Sequence, residues 1–154
     1  MIECYDALCL KEPYLELIMC GIKTLESRTK IMRKKGGEVL LTSSATINEA
    51  AFNDPNVGGL LDAEAKQRAL TGVGKFAGLV RFGDCRPGVP GSQDDVDACI
   101  SMLTEDGRTR FVYPITDPRR VQRLDVIRIR PDGTYKKGSS QSFFKVPKSL
   151  VGIL

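Results

Sequence analysis

The sequence contains no histidine among its 154 residues. Histidine is the commonest general base in enzymes and the commonest metal ligand. Its absence excludes Ser-His-Asp and Cys-His catalysis and removes the usual zinc ligand sets. We therefore expect no metal site, and no motif in the chain calls for a cofactor.

The cysteines lack the spacing of a disulfide or zinc framework. Their number is odd, no two of them form a C-x-x-C pair, and most stand among apolar neighbours. This pattern favours reduced thiols in an intracellular protein. The five positions are Cys4, Cys9, Cys20, Cys85 and Cys99.

Long apolar runs are also absent, since none approaches the roughly 18 residues that a membrane span needs. The first ten residues lack the basic start and continuous apolar middle of a secretory signal. We therefore expect a cytoplasmic protein that does not enter a membrane. Hydrophobic residues make up 42% of the chain, enough for one domain over residues 1–154 with its own core.

The net charge of +4 is distributed unevenly, because basic residues crowd two short stretches. Such patches favour an anionic partner such as RNA, although a solvated charge run explains either patch taken alone. The first patch contains Arg28, Lys30, Arg33, Lys34 and Lys35, and the second contains Arg119, Arg120, Arg123, Arg128 and Arg130.

Hydrophobic periodicity predicts short strands with few helices. The predicted strands are residues 3–10, 24–29, 38–43, 76–82, 111–115, 126–129 and 142–146. The predicted helices are residues 11–20, residues 60–70 and a segment that starts at Ser92 and continues toward Gly107. This pattern indicates a barrel or partly open barrel of five to seven strands, with the Pro13 helix over one end.

Two segments near the start, ALCLKEPY at residues 7–14 and GIKTLESR at residues 21–28, resemble the opening of the ASCH family. The family motif G-x-K-x-x-E-x-R is met at Gly21, Lys23, Glu26 and Arg28. GKFAGLV at residues 74–80 and FFKVPKSL at residues 143–150 also resemble family segments. The resemblance implies a mixed α/β, mainly β fold: a PUA-like β-barrel with peripheral helices and a polar cleft at the motif.

The resemblance further implies binding of RNA or another nucleic acid, or of a nucleotide or modified nucleoside. Glu26 and Arg28 could instead form only a salt bridge at the mouth of the barrel. Ser43 and Ser44 are candidates for ligand contacts or simple turn caps, and Tyr14 for base stacking or core packing. The candidate binding residues are Lys11, Lys23, Glu26, Arg28, Arg33, Lys34, Lys35, Ser43, Ser44, Arg119 and Arg120.

The alternative function is enzymatic. One branch of the family is an amidohydrolase that deacetylates N4-acetylcytidine with a lysine, a threonine three residues later and a distant glutamate, and nuclease activity is attributed to another member. Here Glu26 stands three residues after Lys23, so that threonine is missing. If the chain is an enzyme, we expect Lys23 as a base deprotonated by burial, with Glu26 or Thr24 assisting. In a strand, Thr24, Glu26 and Arg28 would share one face.

Overall fold

The computed structural model describes residues 2–33, 36–100 and 110–154 of the chain. Its centre is a sheet of nine strands. The strands are β1 (Cys4–Leu10), β2 (Leu25–Arg28), β3 (Gly37–Ser43), β4 (Phe76–Phe82), β5 (Arg86–Pro87), β6 (Phe111–Arg120), β7 (Ile127–Ile129), β8 (Tyr135–Lys137) and β9 (Phe144–Pro147). The helices are α1 (Tyr14–Met19), α2 (Glu49–Asn53), α3 (Ala63–Thr71) and α4 (Gln93–Asp97), with 3-10 helices at Gly58–Leu60 and Lys148–Leu150.

The described strands pair in the order β2-β6-β4-β3-β1-β9-β7-β8, and β5 pairs with β6. β1 and β3 run parallel, whereas the other pairs of these strands are antiparallel. A parallel pair needs a long connection, and α1 and β2 lie in that connection. The predicted mainly β fold with peripheral helices is confirmed, although the pairing path is open from β2 to β8.

The strand number is higher than expected because some strands leave little trace in the sequence. β5 and β8 have two and three residues, too few to show a period of two. β6 continues past Pro114 and Pro118, which read as strand breakers. A bulge in its pairing with β4 lies opposite Leu79 and Arg81, and Asp117 in the bulged segment has φ 56°.

The helices differ from the sequence-based expectation in two places. α2 was not predicted, because it is short and lies in a polar connection. It begins at Glu49. The preceding Asn48 caps its first turn, because the Asn48 side chain accepts a hydrogen bond from the backbone N–H of Ala51 (3.0 Å). The helix that starts at Ser92 covers Gln93–Asp97, and residues 101–107 of the predicted segment lie outside the described residues.

The core lies on both faces of the central strand β3. Val39 and Leu41 pack on the face covered by α1, while Leu40 packs on the opposite face with Phe144 and Val146. Because side chains alternate along a strand, this burial on both sides explains the continuous apolar run in β3. None of the helices in the described ranges is long and apolar enough to cross a membrane.

α2 and the following 3-10 helix form a compact corner beside α1. Gly58 is buried in this corner. A Cβ at Gly58 would lie only 2.6 Å from the backbone carbonyl carbon of Phe52, so no side chain fits there. The next residue, Gly59, is exposed, and a Cβ there would meet Asp54 O at 3.4 Å. Close contact between the two short helices therefore depends on Gly58.

We expect Gly58→Ala to lower the free energy of unfolding by roughly 1–3 kcal/mol, because backbone atoms must move to admit the methyl group. Gly59→Ala is the matched control and should change stability by no more than about 0.5 kcal/mol. Urea denaturation followed by circular dichroism measures both. Equal stability of the two variants would contradict the packing described for this corner.

Candidate functional site

A cavity of about 630 Å³ lies between α1, β2 and the corner formed by α2. Its lining combines apolar walls with a few polar groups, as ligand-binding cavities generally do. Residues from both sides of the undescribed segment 101–109 contribute to it. The lining residues are Leu10, Lys11, Tyr14, Lys23, Glu26, Ser27, Asn48, Ala50, Ala51, Asp54, Val57, Ile100 and Arg110.

Lys23 is the most deeply buried cation in this lining, with only 3% of the residue exposed. Its Nζ donates to the backbone oxygens of Leu25 (2.7 Å) and Ala98 (2.6 Å). Burial lowers the pKa of Lys23, because the charged form loses water, while the nearby Glu26 carboxylate acts in the opposite direction. The lysine is therefore held in one place and favours the neutral form more than an exposed lysine does.

The turn after α1 fixes the backbone of Lys23. Gly21 has φ +77°, a left-handed conformation that glycine adopts without strain. The backbone N–H groups of Ile22 and Lys23 then both donate to Leu17 O, at 2.9 and 3.0 Å. The glycine of the motif thus ends the helix and directs Lys23 into the cavity.

Glu26 lies between the two motif cations. Its Oε1 is 3.7 Å from Lys23 Nζ, and its Oε2 accepts from Arg28 Nη2 at 3.1 Å. Oε1 also accepts from the backbone N–H of Ser27 at 3.2 Å. Glu26 is 6% exposed, so this carboxylate is oriented by the protein rather than by solvent.

Tyr14 and Ser27 extend the polar surface of the cavity. The Tyr14 ring centroid lies 5.6 Å from Lys23 Nζ, and burial raises the pKa of its hydroxyl. Ser27 Oγ is buried and has no hydrogen-bond partner among the described residues. A buried polar atom without a partner costs free energy, so the Ser27 hydroxyl is a candidate for a ligand contact.

Arg28, Arg33, Ser43 and Ser44 line neighbouring cavities instead. Arg28 and Arg33 line one of about 380 Å³, and Ser43 and Ser44 line another of about 540 Å³. Lys11 is exposed and lines both this second cavity and the one around Lys23. Lys34 and Lys35 lie outside the described residues.

Thr24 does not share the site with Glu26, contrary to the expectation from strand alternation. β2 begins only at Leu25, and Thr24 is exposed and absent from the cavity lining. The backbone of Thr24 is held by hydrogen bonds to Asp97 O (2.9 Å) and from Ile115 N (2.8 Å). The alternation therefore does not extend back to this residue.

Arg119 and Arg120 are adjacent in sequence but lie in different surroundings. Arg119 is exposed and pairs with Glu38 at 2.8 Å. Arg120 pairs with Glu16 of α1, at 2.7 and 3.1 Å, and Arg68 and Arg123 join the same carboxylate. Neither Arg119 nor Arg120 lines the cavity around Lys23.

Several lining residues were not predicted from the sequence. Asn48, Asp54 and Val57 belong to the polar connection whose helices are too short to recognise. Ser27 alternates away from the motif positions, and Arg110 lies far from them in sequence. Ser27 Oγ becomes notable only when its lack of a partner is visible in three dimensions.

The fold and the cavity together define a mainly β domain with a partly polar cavity that is lined by a buried lysine. No protein-family model matches the chain, and no curated protein matches it in sequence. Among solved structures, it is similar to ASCH from Zymomonas mobilis at 12% identity and a TM-score of 0.57, covering 94% of this chain and 88% of that chain. A serine-to-alanine variant of that protein gives 11% identity and a TM-score of 0.54, covering 96% of each chain. The chain has the ASCH fold, as its motif predicted.

Glu12 lies just before α1, close to Glu16 and the arginines that pair with it, and is 3% exposed. Its Oε1 accepts from the backbone N–H of Glu16 at 2.7 Å. Burial raises the pKa of Glu12 from 4.5 to about 7; the Glu16 charge acts in the same direction, and the hydrogen bond and the charges of Arg120 and Arg123 oppose it. The folded protein therefore binds this proton more tightly than the unfolded chain does.

The stabilising contribution of the Glu12 proton is complete below pH 4.5 and is lost as the pH rises toward 7. Glu12→Gln keeps the acceptor oxygen but cannot ionise. We expect the free energy of unfolding of Glu12→Gln, relative to that of the wild type, to be about 2 kcal/mol higher at pH 8 than at pH 5. Urea denaturation at both pH values measures this, with the exposed Glu3→Gln as control. A constant difference between Glu12→Gln and the wild type would be inconsistent with a raised Glu12 pKa.

Proposed function

We propose that the cavity around Lys23 binds one nucleoside, either free or as an unpaired nucleotide of RNA. The observation that carries this proposal is the oriented group of Lys23 and Glu26 at the base of a cavity of about 630 Å³. Cavities of roughly 300–1,000 Å³ take small molecules. A nucleoside fits that range, whereas a folded partner does not.

The lining suits a heterocycle with donors and acceptors on its edge. Lys23 offers a donor, Glu26 offers acceptors, and the Ser27 hydroxyl can act as either once it meets a partner. Leu10 and Val57 supply apolar walls, and the half-buried Tyr14 supplies an aromatic surface. Unpaired bases are recognised by stacking and by hydrogen bonds to their edges.

The charges favour a base inside the cavity and a phosphate outside it. Glu26 and Asp54 both line the cavity, so a phosphate seated among them would meet two carboxylates. Lys11 is exposed and also lines the adjoining cavity of about 540 Å³, to which four serines contribute. A nucleotide could therefore extend from the base pocket past Lys11. The ASCH resemblance, which implies nucleic-acid binding, supports the same assignment.

Ala50 offers a direct test, because it is exposed on α2 and lines the cavity. We expect Ala50→Phe to fill the entrance and weaken nucleoside binding by roughly tenfold or more, while folding is unchanged. The matched control is Ala63→Phe, at an exposed alanine that begins α3 and does not line this cavity. Calorimetric titration with cytidine, uridine, adenosine, guanosine and N4-acetylcytidine measures the affinities. Failure of all five to bind the wild type, or unchanged binding to Ala50→Phe, would rule out the assignment.

Amide hydrolysis is a second candidate function, favoured by the lowered pKa of Lys23 and by its two backbone hydrogen bonds. A neutral lysine has two N–H donors and one lone pair. If the two donors go to Leu25 O and Ala98 O, the lone pair remains to accept a proton from an attacking water. Two features weigh against it: Glu26 occupies the position of the family's threonine, and Thr24 lies outside the cavity.

If this second function holds, the wild type releases cytidine and acetate from N4-acetylcytidine. The rate should rise with pH, because the neutral amine is the active form, and Lys23→Met should abolish it. Liquid chromatography of the nucleosides follows the reaction, and circular dichroism checks that the variant folds. Nucleoside binding without any product would eliminate the hydrolase and leave the binding function standing.

A further inference from the structure

We infer that Arg68, Arg120 and Arg123 form a binding site for a phosphate group, separate from the cavity around Lys23. The three residues come from α3, from the end of β6 and from the segment after it. Their side chains converge on Glu16 of α1. This inference does not depend on what the Lys23 cavity binds.

The arginines surround one buried carboxylate. Arg120 contacts both oxygens of Glu16, at 2.7 and 3.1 Å, in a bidentate arrangement. Arg68 Nε lies 2.9 Å from Oε1, and Arg123 Nη2 lies 3.5 Å from Oε2. The Glu16 side chain is 2% exposed, whereas the side chains of Arg68, Arg120 and Arg123 are 36%, 31% and 27% exposed. The carboxylate thus forms the floor, and the guanidinium groups reach solvent.

The charges in this cluster do not balance. In the part of the chain that the structure describes, Glu16 is the one carboxylate within ion-pair distance of these three arginines. A single bidentate arginine already neutralises it. Two further guanidinium groups repel the first and each other, and the neighbouring Glu12, with its raised pKa, compensates only in part. The cluster therefore keeps an excess of between one and two positive charges, which a phosphate group can neutralise.

The three guanidinium groups keep N–H donors that no described residue accepts. Each guanidinium carries five N–H donors in a planar fork. Glu16, the carbonyl oxygen of Arg68 and the Cys20 sulfur use only some of them. The others belong to partly exposed groups that tertiary contacts hold close together. Recognition of phosphate by such arginine clusters is common in proteins.

Gly72 shows that the local backbone accommodates this cluster. The residue is buried at the C-terminal end of α3. A Cβ at Gly72 would lie 2.8 Å from Arg123 Nη1 and 3.0 Å from Arg68 O. Any side chain there would displace the Arg123 guanidinium from its contact with Arg68 O.

The site is separated from the Lys23 cavity by helix α1. Tyr14 lines the cavity, whereas Glu16 holds the arginines. Residues two positions apart on an α-helix are rotated by about 200° around its axis, so the side chains of Tyr14 and Glu16 leave α1 on nearly opposite sides. The arginine cluster is therefore a second, separate site. The phosphate group that it binds comes either from free phosphate or from the backbone of RNA.

The test uses the full chain at pH 7 and titrates inorganic phosphate against chloride at matched ionic strength. We expect saturable changes in the NMR signals of the Arg68, Arg120 and Arg123 side chains. Arg68→Gln and Arg123→Gln leave Arg120 to neutralise Glu16, and each should weaken phosphate binding by roughly tenfold, as expected for loss of a charge-assisted hydrogen bond. Arg119→Gln removes the same charge from the adjacent exposed position and should have little effect.

Gly72→Ala separates geometry from charge, because it moves Arg123 without changing the net charge. We expect weaker phosphate binding by this variant also, with circular dichroism confirming that it folds. Phosphate changes no larger than those with chloride, or equal losses in Arg119→Gln and Arg68→Gln, would overturn the inference.

A short single-stranded RNA then identifies the source of the phosphate. If the RNA backbone supplies it, Arg68→Gln weakens RNA binding and inorganic phosphate competes with RNA. If free phosphate is the ligand, the wild type and Arg68→Gln bind RNA with the same affinity.

Discussion

Lys23 Nζ donates to Leu25 O and Ala98 O at 2.7 and 2.6 Å, and much of the candidate site depends on these two hydrogen bonds. A buried ammonium or amine requires acceptors, and here the backbone supplies them. One acceptor begins β2 and the other follows α4, so a single side chain links the end of α1 to both elements. The hydrogen bond from Thr24 N to Asp97 O (2.9 Å) reinforces the same junction. The lysine is thus a structural link as well as the proposed ligand contact.

A buried carboxylate lies among cations on each of the two sides of helix α1. Toward the cavity, Glu26 of β2 lies between Lys23 and Arg28. On the other side, Glu16 lies among Arg68, Arg120 and Arg123. In both clusters the carboxylate is buried and the arginines are partly exposed, so the carboxylate orients donors that remain accessible. We propose that the cluster at the cavity contacts a base, and that the arginine cluster contacts a phosphate group.

The sequence predicted the parts of the site that local chemistry determines. Gly21 ends α1, and the G-x-K-x-x-E-x-R spacing places Lys23 and Glu26 together, so both could be read from the chain. The arginine cluster could not, because Glu16, Arg68 and Arg123 are brought together only by the tertiary fold. Asn48 and Asp54 were missed because α2 has five residues and no apolar repeat. Thr24 was misplaced because the start of β2 depends on pairing with β6 rather than on local pattern.

The most direct test of the central claim is an NMR titration of the Lys23 side chain, through its ¹³Cε signal, in the absence and presence of a nucleoside. Our account predicts that Lys23 titrates below the ordinary lysine value of 10.5 and that its signal shifts saturably when a bound nucleoside is added. A Lys23 that titrates at or above that value, and whose signal does not respond to any nucleoside, would contradict both its burial and its role in ligand binding.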